Sequence, residues 1–172
     1  GDILGSHAVV RRSSRINVDR NFATPFYKKS SVKDQYSELT LNFAGNYSLV
    51  FRAYNDGVAY RFVTRRKGEI VVKKETASFR FPADYSGLFP LIQEYRVPGD
   101  PFMCGFESLY RKMTISQFPA DTLAFLPALV NIGENKRLAI LEGDLEDYPG
   151  MFLGPEKGSP NSLQGIFAGY PV

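Results

Sequence analysis

With 172 residues, 44% of them hydrophobic, the chain has the size of one globular domain that can bury a sizeable core. Its formal charge of +3 is spread without a basic tract, which argues against a DNA or RNA partner, and no apolar run reaches membrane-spanning length. One cysteine, Cys104, excludes an internal disulfide and a CxxC metal site; it is read as structural, since the single histidine, His7, is thin support for nucleophilic chemistry.

Fourteen Phe, ten Tyr, fifteen Gly and eleven Pro favour short strands joined by tight turns, so a mostly-β domain is expected. The opening residues, to Phe22, are polar and arginine-rich, do not read as a signal peptide, and leave room for one edge strand from Ala8 to Val10. After the Thr24-Pro25-Phe26-Tyr27 break, Leu39, Leu41 and Phe43 alternate with Glu38, Thr40 and Asn42 in a half-buried strand. Gly45-Asn46 then turns the chain into LVFRAYNDGVAYRFV, Leu49 to Val63, the clearest hairpin signal present.

The register of that hairpin depends on its loop. A two-residue turn at Asp56-Gly57 pairs Phe51 with Phe62 and sets Arg52 opposite Arg61, where like charges repel. A three-residue loop would put Phe51 against Arg61 and is rejected. A four-residue loop pairs Phe51 with Tyr60, and both surviving registers place the same side chains on the same face. For Arg52 and Arg61, pairing with acids on a neighbouring strand or another domain outweighs anion binding.

Beyond Val63, RRKGE makes a turn, Ile70 to Lys73 forms a strand, and Ala77, Phe79 and Phe81 alternate in another, giving four or five antiparallel strands in a meander. From Asp84 to Phe106 no period is sustained, and a long irregular excursion is expected, with Tyr and Phe suited to interface packing or to stacking on sugar rings. One helical turn is expected from Glu107 to Lys112. Strand character returns at Met113 to Gln117, Leu123 to Val130 and Arg137 to Leu141, with a hairpin loop from Asn131 to Lys136. The tail from Gly154 to Val172 reads as though a longer protein continued.

The stretch that carries chemistry is LAILEGDLEDYPGMFL, Leu138 to Leu153. Glu142, Asp144, Glu146 and Asp147 crowd four carboxylates into six residues before a rigid Tyr148-Pro149-Gly150 corner. Such acids repel unless a cation or arginines neutralise them, and a hard cation such as calcium takes about six to eight oxygen ligands. The spacing is not that of an EF-hand loop. On the residues alone a solvated acidic turn leads, with a metal site left open.

FRAYNDGVAYRF and LAILEGDLEDYPGMFL, with TPFYKKS and YSELTLNF upstream, resemble the N-terminal domain of glycoside hydrolase family 97 in order and spacing, from about Thr24 to Leu153. The resemblance implies a mostly-β, antiparallel β-supersandwich of the galactose-mutarotase-like kind. It implies a single N-terminal domain fragment over residues 1–172, incomplete as it stands, belonging to a larger exo-acting α-glucosidase or α-galactosidase, either retaining or inverting. Its partners would be the catalytic (β/α)₈ barrel of the same protein and an α-linked oligosaccharide. Localisation would be periplasmic or secreted. Such a barrel takes about 250 residues, which nothing after Leu153 supplies, so the chain is expected to be inactive alone and no catalytic residue is assigned.

The resemblance also implies one functional residue. Family members hold calcium near the substrate with barrel glutamates and one glutamate from the strand end before the acidic YPG turn, the place of Glu142. Leu141, Gly143 and Phe152 depart from the usual pattern around it. Following Leu138 and Ile140 in strand alternation, Glu142 would emerge on their face, while Asp144 and Asp147 read as turn-capping or solvated. The competing expectation is an autonomous carbohydrate-binding β-sandwich with no enzyme attached.

Overall fold

The computed structural model describes residues 3–93, 95–146 and 148–169. Its strands are antiparallel throughout, and its one helical element among the described residues is a three-residue 3-10 turn. No helix there is long and apolar enough to cross a membrane. The chain divides into two compact units, Gly1–Ile70 and Val71–Val172.

The first unit is a four-stranded meander of β1 (Val10–Ala23), β2 (Ser31–Phe43), β3 (Tyr47–Ala53) and β4 (Val58–Thr64), in that order across the sheet. β1 is far longer than the edge strand expected at Ala8 to Val10, because it pairs with β2 from Val10 to Ala23 while its polar, arginine-rich side chains stay solvated at the sheet edge. The turn into β3 uses positive φ at Gly45 (95°) and Asn46 (60°), a conformation these residues accept more readily than most.

Phe51 pairs with Tyr60 and Ala53 with Val58, so the central hairpin closes with the four-residue loop. Tyr54 N–H donates to the Gly57 carbonyl at 2.8 Å inside it. In this register Arg52 faces Ala59 and Arg61 faces Val50, and the two guanidinium groups are not opposed. Arg52 instead meets Glu38 on β2 at 2.8 Å and lies 4.4 Å over the Tyr36 ring, as the charge argument anticipated. The other face aligns Leu39, Phe51 and Tyr60 in one row and Leu41, Leu49 and Phe62 in the next.

The second unit joins segments distant in sequence. β5 (Ser78–Arg80) pairs with β13 (Ser162–Phe167), which pairs with β12 (Met151–Pro155). A second sheet orders β11 (Lys136–Ile140), β10 (Ala128–Gly133), β6 (Ser86–Phe89) and β9 (Arg111–Thr114), and β7 (Tyr95–Val97) with β8 (Asp100–Cys104) makes a small hairpin. Ala124 bridges Leu91 on one side and Leu153 on the other. Around it Phe89, Leu91, Ile115, Val130, Ile140, Leu153 and Leu163 are buried in one core. Ile92, Cys104, Phe125 and Phe152 form a smaller cluster, where Cys104 is a buried free thiol.

The strand expected at Ala77 to Phe81 as the end of the meander is β5, which pairs with β13 instead, and other local expectations are corrected too. Ile70 to Lys73 has strand composition but no strand partner, and Val71 and Val72 stay exposed, since β-branched residues form a strand only where a neighbour pairs with them. The Asp84 to Phe106 stretch is not irregular: it contains β6, β7 and β8, each too short to show a period. Glu107 to Lys112 is not helical, and its end enters β9, which pairs with β6. The short turn falls later, at Ile115–Gln117, where Asp84 accepts from Ser116 N–H at 2.9 Å and from Ser116 Oγ at 2.6 Å.

Candidate functional site

Strand alternation carries the chain from buried Ile140 through Leu141, 66% exposed, to half-buried Glu142 just past the end of β11. The segment from there to β12 folds back so that both Glu142 carboxylate oxygens lie 2.9 Å from the Met151 N–H, which donates to the pair. Gly150 permits the approach, since a Cβ there would come within 3.3 Å of Glu142 Oε1. Burial raises the Glu142 carboxyl pKa above the usual glutamate range; the Met151 N–H pulls it back, and the nearby Glu75 charge adds to the rise.

Tyr148, the first residue of the rigid corner, donates its hydroxyl to Glu75 Oε2 at 2.6 Å and sets its ring edge-on to Phe167 at 5.9 Å. Burial and the Glu75 carboxylate hold its phenol protonated well above the ordinary tyrosine range. Among the other acids, Asp144 lies exposed with φ 62°, the left-handed backbone of a turn, and Glu146 is exposed. Asp147 lies outside the described residues.

Glu142 and Tyr148 line a cleft of about 580 Å³. Four phenylalanines, Phe102, Phe106, Phe125 and Phe152, line the same cleft. Their rings interlock edge-on, Phe102 to Phe152 at 5.2 Å and Phe106 to Phe125 at 5.5 Å, while Phe106 tilts over Phe152 at 5.8 Å. These phenylalanines come from β8, the stretch after it, the segment before β10, and β12. Sequence spacing could not have gathered them, and Glu75 gave no signal at all; the Tyr-Pro-Gly corner was the one trace of Tyr148.

The arrangement presents a partly desolvated carboxylate at the edge of an apolar hollow. It can ligate a hard cation or accept a hydroxyl hydrogen. No group of three His, Cys, Asp or Glu gathers among the described residues. A cation held here through Glu142 would therefore take most of its ligands from elsewhere.

Residues 2–170 match the family model described as Glycosyl-hydrolase 97 N-terminal. The chain belongs to that family. A retaining alpha-galactosidase of Bacteroides thetaiotaomicron is 36% identical over 174 residues, covering 99% of this chain and 26% of that protein. Among solved structures, a glycoside hydrolase family 97 enzyme from Pseudoalteromonas sp. strain K8, in complex with acarbose, aligns over 93% of the chain with a TM-score of 0.73 and 19% identity. A beta-arabinopyranosidase aligns over 94% with a TM-score of 0.77, also at 19% identity. The family 97 chain spans about a quarter of the length of these relatives, 26% of the first and 24% and 27% of the two structures. At that identity the structures establish the fold, the antiparallel β-supersandwich of the family 97 N-terminal domain.

Proposed function

We propose that this chain is the non-catalytic N-terminal domain of an exo-acting α-glycosidase, an α-galactosidase or α-glucosidase, exported to the periplasm or beyond. In this reading it packs on the catalytic barrel of the same protein and supplies Glu142 as one oxygen ligand to a calcium ion beside the substrate. The observation that carries the reading is the placement of Glu142. Its carboxylate lines a cleft, partly withdrawn from water and held by the Met151 backbone N–H.

A carboxylate is the hard oxygen donor calcium prefers, and two oxygens sharing one N–H keep lone pairs for a cation. Calcium bound there would add fixed positive charge where substrate oxygens lie. What this chain does is orient that carboxylate, through Met151 N–H, and keep it short of full hydration. Glycoside cleavage needs two positioned carboxyl groups, about 5–5.5 Å apart when configuration is retained and about 6.5–9.5 Å when it is inverted. Glu142 is the one carboxylate lining the cleft among the described residues, so the 172-residue chain by itself should hydrolyse neither aryl α-glucosides nor aryl α-galactosides.

The test is Glu142→Gln in the full-length enzyme, with activity followed against free calcium. Removing the charge while keeping the shape should raise the calcium concentration needed for half-maximal activity. A calcium dependence identical to wild type would remove Glu142 from the ligand set.

A further inference from the structure

The reading above uses Glu142 and leaves the phenylalanines that line the cleft without a role. Phe106 stands out among them. The residue is 56% exposed although its ring packs against both Phe125 and Phe152. Its backbone sits at φ 54°, in the left-handed region that a bulky residue enters rarely and at a cost. Glycine or asparagine would sit there with less strain, so the position holds an aromatic ring in the lining of the cleft against its own backbone preference. A strained backbone and a half-exposed apolar ring both count against the domain in isolation. Together they fit a ring held ready for something that lies on it.

The geometry points to Phe106 as a stacking platform for one pyranose ring of an α-linked saccharide, the C–H face of the sugar on the phenylalanine ring and its hydroxyl edge toward Glu142 and Tyr148. This deepens the glycosidase reading and rests on it. The cleft volume, about 580 Å³, lies within the usual range of small-molecule sites. Its lining combines aromatic rings with a carboxylate and a phenol, and a pyranose combines C–H faces with a hydroxyl rim in the same way. A hydrocarbon side chain from another domain would satisfy the rings but seal the Glu142 carboxylate against apolar surface, an arrangement that is costly for a charge.

The experiment compares Phe106→Ala, Phe106→Leu and Phe106→Tyr with wild type in the full-length enzyme, on aryl α-galactoside and aryl α-glucoside. For the preferred glycoside, Phe106→Ala and Phe106→Leu should raise KM about tenfold, the weight of one lost aromatic contact, while Phe106→Tyr stays within about twofold. The calcium concentration for half activity should not move in any of the three, which separates the role of the ring from that of Glu142. Saturation-transfer NMR with methyl α-galactoside and methyl α-glucoside reports contact with the sugar itself, and that signal should weaken in Phe106→Ala. Wild-type KM in Phe106→Ala at a wild-type melting temperature overturns the inference while leaving the glycosidase reading standing. Wild-type KM in Phe106→Leu overturns it as well, because bulk without a flat face would then suffice. A full-length wild-type protein that neither cleaves nor binds any of these glycosides defeats the glycosidase reading and this inference with it.

Discussion

Replacing Glu142 by Ala and, separately, by Gln distinguishes its hydrogen bond from its charge. Both carboxylate oxygens address one donor, the Met151 N–H at 2.9 Å, so together they provide a single hydrogen bond. Alanine orphans a half-buried N–H at the first residue of β12, and that loss should cost about 1–3 kcal/mol, toward the lower end because water still reaches the site. Glutamine keeps an acceptor for Met151 and removes a carboxylate disfavoured by burial and by Glu75, so at neutral pH it should fall within about 0.5 kcal/mol of wild type. The acid limb gives a second reading. A carboxyl whose pKa is raised on folding keeps its proton longer in the folded chain than in the unfolded one. Wild-type stability therefore declines as pH rises from the ordinary glutamate value through the raised one. Glutamine has no such step, so the Gln variant should gain on wild type across that window. Urea unfolding followed by circular dichroism between pH 3 and pH 8 measures both effects. A Gln variant as unstable as the Ala variant, or one that loses ground to wild type as pH rises, would refute the argument.

Two further outcomes are expected from the core of the second unit. Leu153→Ala empties a fully buried site whose backbone is pinned to Ala124 by two hydrogen bonds of 2.8 Å and cannot collapse freely, so it should cost about 3–4 kcal/mol, whereas Leu141→Ala, at an exposed position beside Glu142, should stay within about 0.5 kcal/mol by the same denaturation assay. Gly87→Ala would put a Cβ 2.5 Å from the Phe89 ring and 2.9 Å from the Leu129 carbonyl oxygen; overpacking of this kind should lower stability by about 1–3 kcal/mol, visible as a drop in Tm.

Strands β2, β3 and β4 of the meander were legible because their links are local and their residues alternate, whereas the polar, exposed β1 was read only as a short edge strand and β5, read as a further meander strand, pairs with β13. Glycine with asparagine marked the turn before β3, and the sequence left open the choice between two and four loop residues in the central hairpin. The second unit was harder for a physical reason. β6 has four residues and pairs with strands that begin 25 and 42 residues after it does, so no window of sequence contains both the strand and what stabilises it. Ile70 to Val72 shows the converse, a composition suited to a strand with no neighbour to complete it. At the candidate site, alternation from Ile140 placed Glu142, and the resemblance to family 97 implied a calcium role for it. Met151 as its hydrogen-bond donor stands nine residues on, across the acidic turn, while Glu75 as its electrostatic neighbour and Phe106 in the cleft lining depend on chain reversal between distant segments.

The contrast between the two units bears on how the chain emerges from a ribosome. Hairpins β1–β2, β2–β3 and β3–β4 each close across a handful of loop residues, so the meander can zip up as its own strands appear. Strand β5 cannot do the same, because Phe79 waits for Leu163, 84 residues later. At about 5–20 residues per second that interval is roughly 4–17 s, during which Phe79 and the buried side chains around it have no final partner. A nascent chain stalled within this interval exposes apolar surface of the second unit, and that window is where a chaperone or premature aggregation would act on it.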